Sequence, residues 1–90
     1  MFYEWGYEKN DRLKKERGIG FEEIMIKIIS GEVLDIISNP SQNHPNLKVY
    51  VIKINNYVYY IPHVEVEGKV FLKTIIPSRK ATKEYLNKKL

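Results

Sequence analysis

Two short turns, Asn55-Asn56 and Glu67-Gly68, constrain the fold of this chain more than any other feature. They separate three segments rich in β-branched and aromatic residues: Leu47–Ile54, Tyr57–Val66 and Lys69–Ile76. Asparagine and glycine tolerate the positive φ angles that two-residue hairpin turns require. The pattern therefore predicts consecutive antiparallel strands in a register set by the turns, in which Tyr60 faces Ile75.

This register predicts two different sheet faces, because side chains alternate across a strand. The first face is apolar and should meet helices; it carries Tyr50, Ile52, Ile54, Tyr57, Tyr59, Ile61, Val70, Leu72 and Ile76. The second face is expected to be more open; it carries Val49, Val51, Lys53, Val58, Tyr60, Lys69, Phe71, Lys73 and Ile75. A mixed basic and aromatic surface favours nucleic-acid binding. A partly solvated face with ordinary lysines is the alternative.

Helices are predicted on both sides of these strands. Asn10–Arg17 reads as a short polar helix with Asn10 as its N-cap, and Ser78 should cap a final helix, Arg79–Leu90. Between them, apolar residues recur at i, i+3, i+4, i+7 and i+8, which predicts a helix with one face in the core. Those residues are Phe21, Ile24, Met25, Ile28 and Ile29.

The remaining segments complete one small α+β domain that spans residues 1–90. Phe2–Trp5 and Val33–Ser38 are predicted to be short strands, and the proline- and asparagine-rich residues 39–46 a loop. The absence of cysteine excludes a disulfide framework and a thiolate metal site. The first residues do not form a signal peptide and no apolar stretch approaches the ~18 residues of a membrane span, so we expect a cytoplasmic protein without a membrane partner.

Positive charge is concentrated at the end of the chain. Residues 69–90 carry seven basic side chains against Glu84 alone. Such asymmetry favours a polyanion or an acidic protein as partner, and a solvated basic helix at a chain end is the alternative.

The usual signatures of enzymes are missing from the sequence. It has no glycine-rich phosphate loop and no nucleophile elbow, and its two histidines, His44 and His63, have no metal-site spacing. We therefore expect neither a metal nor a small-molecule cofactor. Metal-free RNA cleavage by the RNA's own 2′-hydroxyl needs cations, a base and an acid. The candidate catalytic residues are Lys53, Lys73, Arg79, Tyr60, His63 and Glu65, with Lys69, Lys80 and Lys83 as further RNA-binding cations. A structural role for His63 is the alternative.

Both ends of the chain carry recognisable stretches. They are Tyr3-Glu4-Trp5, Glu8-Lys9-Asn10, Gly18-Ile19, Phe21-Glu22-Glu23 and Ile75-Ile76-Pro77-Ser78-Arg79-Lys80-Ala81-Thr82. They resemble the opening of BrnT-family toxins and that family's Ile-Ile-Ser-Ala-Arg-Lys-Ala-Thr ending. Arg79 matches the arginine of this ending, whereas Thr74 stands where the family has an arginine.

The resemblance implies a RelE-like fold, with two N-terminal helices packed on an antiparallel sheet of three to four strands plus a C-terminal helix. It also implies the toxin of a type II toxin–antitoxin pair, a metal-independent endoribonuclease that inhibits translation. Its partners would be RNA and a cognate antitoxin encoded alongside. The change at Thr74 leaves an alternative open, a non-catalytic RNA- or antitoxin-binding module of the same fold.

Overall fold

The computed structural model describes residues 1–38 and 47–87. In chain order the elements are β1 (Phe2–Glu4), α1 (Tyr7–Arg17), α2 (Phe21–Ile29), β2 (Asp35–Ser38), β3 (Leu47–Ile54), β4 (Tyr57–Val66), β5 (Lys69–Leu72), β6 (Ile76–Pro77) and α3 (Arg79–Leu86). The α+β class is confirmed. The predicted loop at 39–46, which contains His44, and the last residues of the predicted final helix lie outside the described residues.

The sheet is larger than predicted and is mixed. Within the described residues it has six strands, in the order β1-β5-β4-β3-β2, with β6 also paired to β4. The expected antiparallel sheet of three to four strands is therefore wrong in its extent, because β1 joins β5 in parallel and β2 adds to β3. Pairing between β1 and β5 joins distant parts of the chain, so no local turn could have indicated it.

Both predicted turns are confirmed. Asn55 and Asn56 have φ angles of 52° and 64°, and Glu67 and Gly68 have φ angles of 51° and 80°. These left-handed conformations match the right-handed twist of the flanking strands. Ile54 accordingly pairs with Tyr57 in the β3–β4 ladder.

The predicted continuous strand Lys69–Ile76 is interrupted by a β-bulge. His63 pairs with Leu72, but Tyr60 pairs with Ile76 rather than Ile75. Residues 73–75 therefore oppose residues 61–62, which places one extra residue on the outer strand. The shift turns Ile75 into the core, where it is 1% exposed, and leaves Ile76 44% exposed. The face assignments of these two isoleucines were thus wrong.

The first sheet face is covered by α1 and α2, as predicted. Its core is a single apolar cluster: Leu13, Ile19, Phe21, Ile24, Tyr50, Ile52, Ile54, Ile61, Val70, Leu72 and Ile75. The helical stripe is buried less completely than predicted, because Ile29 at the end of α2 is 66% exposed. The other members of the stripe pack towards the sheet or lie half-buried beside it.

Asn10 has a different role from the predicted N-cap of its own helix. Helix α1 begins at Tyr7, so Asn10 lies inside it and is 3% exposed. Its Oδ1 accepts a 2.7 Å hydrogen bond from the backbone N–H of Phe21, and its Nδ2 donates to Glu22 at 3.0 Å. One amide therefore satisfies an orphan donor at the start of α2 and joins the two helices.

Helix α3 packs on the second sheet face. Its N-cap is Ser78, whose Oγ accepts from the backbone N–H of Ala81 at 3.0 Å, as predicted. Ala81 is buried against Val51 and Val58 in a second, smaller apolar cluster. The expectation that this face is open is therefore wrong for the part under α3.

Candidate functional site

Polar contacts fix the start of α3 against β4. The backbone carbonyl of Val58 accepts from the N–H of Ser78 at 3.0 Å, and the N–H of Val58 donates to Thr82 Oγ1 at 2.9 Å. The Thr82 hydroxyl in turn donates to the Ser78 carbonyl at 2.7 Å. Ala81 and Thr82 of the Arg79-Lys80-Ala81-Thr82 stretch therefore have structural functions. Arg79 remains the catalytic candidate within this stretch.

Helix α3 crosses the second face from β4 to the edge strand β2. It starts beside Val58, and Tyr85 near its other end donates to Asp35 of β2 at 2.8 Å. Lys53 lies opposite Val58, whereas the N–H of Lys73 donates to the carbonyl of Pro62. Four residues along β4 and two strand spacings separate these positions, which gives roughly 16 Å between the two Cα atoms.

The two lysines consequently belong to different parts of the face. Lys53 lies at the β3–β4 turn, where it lines a pocket with Lys27 and Glu32. Lys73 lies on the far side of α3, at the bulge after β5. The structure does not bring Lys53 together with the other cationic candidates of the sheet.

The uncovered part of the second face forms the open basic surface, which we define by Lys69, Phe71, Lys73, Val64 and Val66. Lys69 and Phe71 point away from the core, because their neighbours in β5 are buried against the first face. Phe71 is 43% exposed and Val66 is 48% exposed. Lys69 and Lys73 form no ion pair with another described residue. The surface therefore presents cations and apolar groups side by side.

Helix α3 adds cations next to this surface. Arg79, Lys80 and Lys83 are all exposed, and Arg79 opens the helix directly after β6. Because β6 pairs with Tyr60, the half-buried phenol of Tyr60 lies on the same face beside the helix. Three of the six catalytic candidates, Tyr60, Lys73 and Arg79, thus lie on the second face. Tyr60 packs in the apolar cluster with Tyr85 and Leu86 near the end of α3, whereas Arg79 lies at the start of this helix.

His63 lies on the opposite face and is 2% exposed. Its ring stacks on Tyr50 with centroids 3.8 Å apart and an interplanar angle of 10°. Its Nδ1 lies 3.1 Å from the carbonyl oxygen of Ile61, which accepts a hydrogen bond when Nδ1 carries the proton. Burial lowers the pKa of His63 below its usual 6.5. These contacts favour a structural role for this histidine.

Glu65 also lies away from the open basic surface. It pairs with Val70, whose side chain is buried in the core of the first face, and alternation places Glu65 on that same side. Glu65 is exposed at the end of β4. Glu65 and His63 therefore lie on the opposite face of the sheet from Lys73 and Arg79.

Comparisons with family models, curated proteins and solved structures give no match for this chain. Within residues 1–38 and 47–87, no three His, Asp or Glu side chains lie together as a metal site would need. None of the described helices combines the length and apolar character needed to cross a membrane.

Two features that shape the site were not predicted. The contact between Thr82 and Val58 depends on where α3 lands, and no local pattern encodes that position. The bulge had a weak signal in Ile75-Ile76, since adjacent isoleucines point to opposite faces and either one could have been the core residue.

Proposed function

We propose that this chain is a BrnT-like toxin of a type II toxin–antitoxin pair, with a RelE-like fold, that acts on RNA in the cytoplasm. RNA occupies the open basic surface, and a small antitoxin encoded alongside neutralises the toxin. The observation that supports RNA binding best is the exposed row of Lys69, Phe71 and Lys73, which α3 leaves uncovered. The resemblance of both chain ends to the BrnT family supports the toxin assignment.

The composition of this surface suits single-stranded RNA. Lysine ammonium groups attract phosphates without reading sequence, and an exposed aromatic ring stacks on unpaired bases. Lys69 and Phe71 lie two residues apart on one strand, which is about 7 Å, comparable with the spacing between neighbouring nucleotides. The cations of α3 extend the positive charge beyond the sheet.

The proposed reaction is transesterification without a metal. The 2′-oxygen forms a bond to the adjacent phosphorus, and the bond from that phosphorus to the 5′-oxygen breaks. The products are a 2′,3′-cyclic phosphate and a 5′-hydroxyl. Lys73 and Arg79 stabilise the extra negative charge on the five-coordinate phosphate. Tyr60 transfers one of the two protons, from the 2′-hydroxyl or to the 5′-oxygen, and water transfers the other.

The test is cleavage of a labelled RNA oligonucleotide by the purified chain in the presence of EDTA. We expect products ending in 2′,3′-cyclic phosphate, and Arg79→Ala should slow cleavage by about 10²-fold. Arg12→Ala is the matched control, because it removes an exposed arginine of α1, on the side of the sheet away from α3, and it should cleave at the unchanged rate. Intact RNA after prolonged incubation with folded protein would rule out the reaction.

A second candidate function is binding without turnover. The observation that favours it is the position of His63 and Glu65 on the opposite face, which leaves Tyr60, beside α3, as the candidate proton-transfer group on the second face. In this case the chain is a non-catalytic RNA- or antitoxin-binding module. RNA retarded in a gel but never cut would select the RNA-binding form. Co-purification with the neighbouring gene product and no RNA affinity would select the antitoxin-binding form.

A further inference from the structure

An aromatic cleft lies at the β1 end of the sheet, away from α3. Its volume is about 310 Å³, and it is lined by Tyr3, Glu4, Trp5, Tyr7 and Phe71. Glu4 and Phe71 are direct partners in the parallel β1–β5 ladder, whereas Tyr3 and Trp5 pack against the core on the other face. The cleft therefore follows the margin of the sheet at the point where the chain leaves β1 for α1.

The cleft exposes more aromatic surface than the fold requires. Tyr7 at the start of α1 is 83% exposed, and Phe71 is 43% exposed. Trp5 stacks one side of its ring on Phe21, with centroids 5.8 Å apart. Large exposed aromatic groups in a concave site are typical of ligand recognition rather than of packing.

The charge of the cleft is opposite to that of the protein. The chain has a formal net charge of +4, yet the charged residue in the lining of this cleft is the carboxylate Glu4. Aromatic ring faces attract cations, and a carboxylate adds a hydrogen-bond acceptor for them. The same carboxylate repels the phosphate of a nucleotide.

The backbone next to the cleft can take a further strand. In the described part of the chain β1 ends the strand order, so its outer edge pairs with no other strand. An extended peptide can add to such an edge and place a side chain in the neighbouring pocket. The position of the cleft therefore favours a protein segment over a free small molecule.

We infer that this cleft binds an arginine side chain from an extended segment of a protein partner. The planar guanidinium stacks on aromatic rings and donates paired hydrogen bonds to the Glu4 carboxylate. A lysine ammonium lacks the planar stacking surface, and a quaternary ammonium has no hydrogen to donate. This site differs from the open basic surface in its chemistry, although Phe71 belongs to both.

Trp5 provides the test, because it is the one tryptophan in the sequence and it lines the cleft. Its fluorescence is followed while the full chain is titrated with the peptide acetyl-Thr-Val-Arg-Val-Thr-amide. The comparison peptide has citrulline in place of arginine, which keeps the shape and removes the charge. We expect a saturable change with the arginine peptide and affinity lower by about fivefold or more for the citrulline peptide.

The variants are chosen on exposed positions outside the RNA surface. Glu4→Gln and Tyr7→Leu should each weaken the arginine peptide by about three- to tenfold. Glu16→Gln is the matched control, since it changes an exposed carboxylate that does not line the cleft, and it should bind as the wild type does.

Three results would overturn the inference: equal binding of the two peptides, no effect of Glu4→Gln, or tighter binding of adenosine monophosphate than of the arginine peptide. The last result would identify the cleft as a base-stacking site. Because none of these readouts measures RNA cleavage, failure here leaves the proposed ribonuclease activity to its own test.

Discussion

The hydroxyl of Tyr85 donates a 2.8 Å hydrogen bond to Oδ2 of Asp35, although 50 residues separate them in the chain. The other carboxylate oxygen, Oδ1, accepts from the backbone N–H of Ile36 at 2.8 Å. One carboxylate therefore joins α3 to the edge strand β2 and also satisfies a backbone donor of that strand.

Replacement of Tyr85 by phenylalanine should loosen α3. The variant keeps the ring that packs in the second apolar cluster and loses the hydrogen bond to Asp35. We expect the free energy of unfolding to fall by about 1 kcal/mol, measured by urea denaturation. Tyr57→Phe serves as control, and an equal loss in both variants would contradict a specific contribution from the Tyr85–Asp35 bond.

The same contact predicts an unusual tyrosine titration. The hydrogen bond to Asp35 raises the pKa of Tyr85 from 10.0 to about 12. Because the folded pKa is above the unfolded one, this contribution to stability is complete below pH 10 and is lost as the pH rises towards 12. Tyrosinate absorbance should show a component near pH 12 that disappears in Tyr85→Phe. A difference curve centred near pH 10 would disprove the assignment.

Asn10 should contribute more to stability than its place in a polar helix suggests. In Asn10→Ala the buried N–H of Phe21 loses its acceptor and Glu22 loses a donor. We expect a loss of about 1–3 kcal/mol in the free energy of unfolding. Asn10→Asp keeps an acceptor for Phe21, but its carboxylate faces that of Glu22, so it should recover part of this loss at most.

The hydrogen bond between Asn10 and Glu22 also makes the stability of the fold depend on pH. The hydrogen bond from Asn10 is the largest cause that lowers the pKa of Glu22 below 4.5. The corresponding stabilisation is present above pH 4.5 and is lost as the pH falls through the folded pKa. The free energies of unfolding of the wild type and of Glu22→Gln should therefore converge as the pH falls below the folded pKa of Glu22. A constant difference between the two proteins across this pH range would contradict the prediction.

His63 should affect stability rather than RNA chemistry. Burial lowers its pKa, so its neutral form is favoured in the folded chain, and this contribution is lost as the pH falls below 6.5. His63→Phe keeps a ring against Tyr50 and should remove that loss while leaving RNA affinity unchanged. His44 is present in both proteins and cancels in the comparison. Weaker RNA binding by the variant would show that His63 contributes to RNA binding and would contradict this prediction.

Local sequence patterns predicted most of the strands and the turns between them. The Asn55-Asn56 pair needs no tertiary contact to favour a hairpin, so β3 and β4 appear with the predicted bounds. Ser78 likewise acts as the predicted N-cap because its hydroxyl reaches a donor three residues away. Both features depend on residues that are close together in the sequence, so a local pattern is enough to predict them.

The division of the second face could not be predicted in the same way. It depends on α3 turning back over β3 and β4, a path held by Thr82 on Val58 and by Tyr85 on Asp35. Both contacts join residues that are distant in the sequence, and no regular spacing of residues indicates that either contact forms. A basic helix at the chain end was therefore predicted as an element but not as the cover of Val51 and Val58.

Lys53 and Lys73 lie on different sides of α3, so their contributions to RNA binding can be separated. Each lysine that contacts a phosphate of single-stranded RNA contributes about 0.7 to the slope of log affinity against log salt concentration. Lys73→Gln should reduce this slope by about that amount and weaken binding at low salt, whereas Lys53→Gln should leave both unchanged. Fluorescence anisotropy of a labelled oligonucleotide at several salt concentrations provides the measurement. If the two variants lower the slope equally, RNA contacts both sides of α3, and the open basic surface alone is not the binding site.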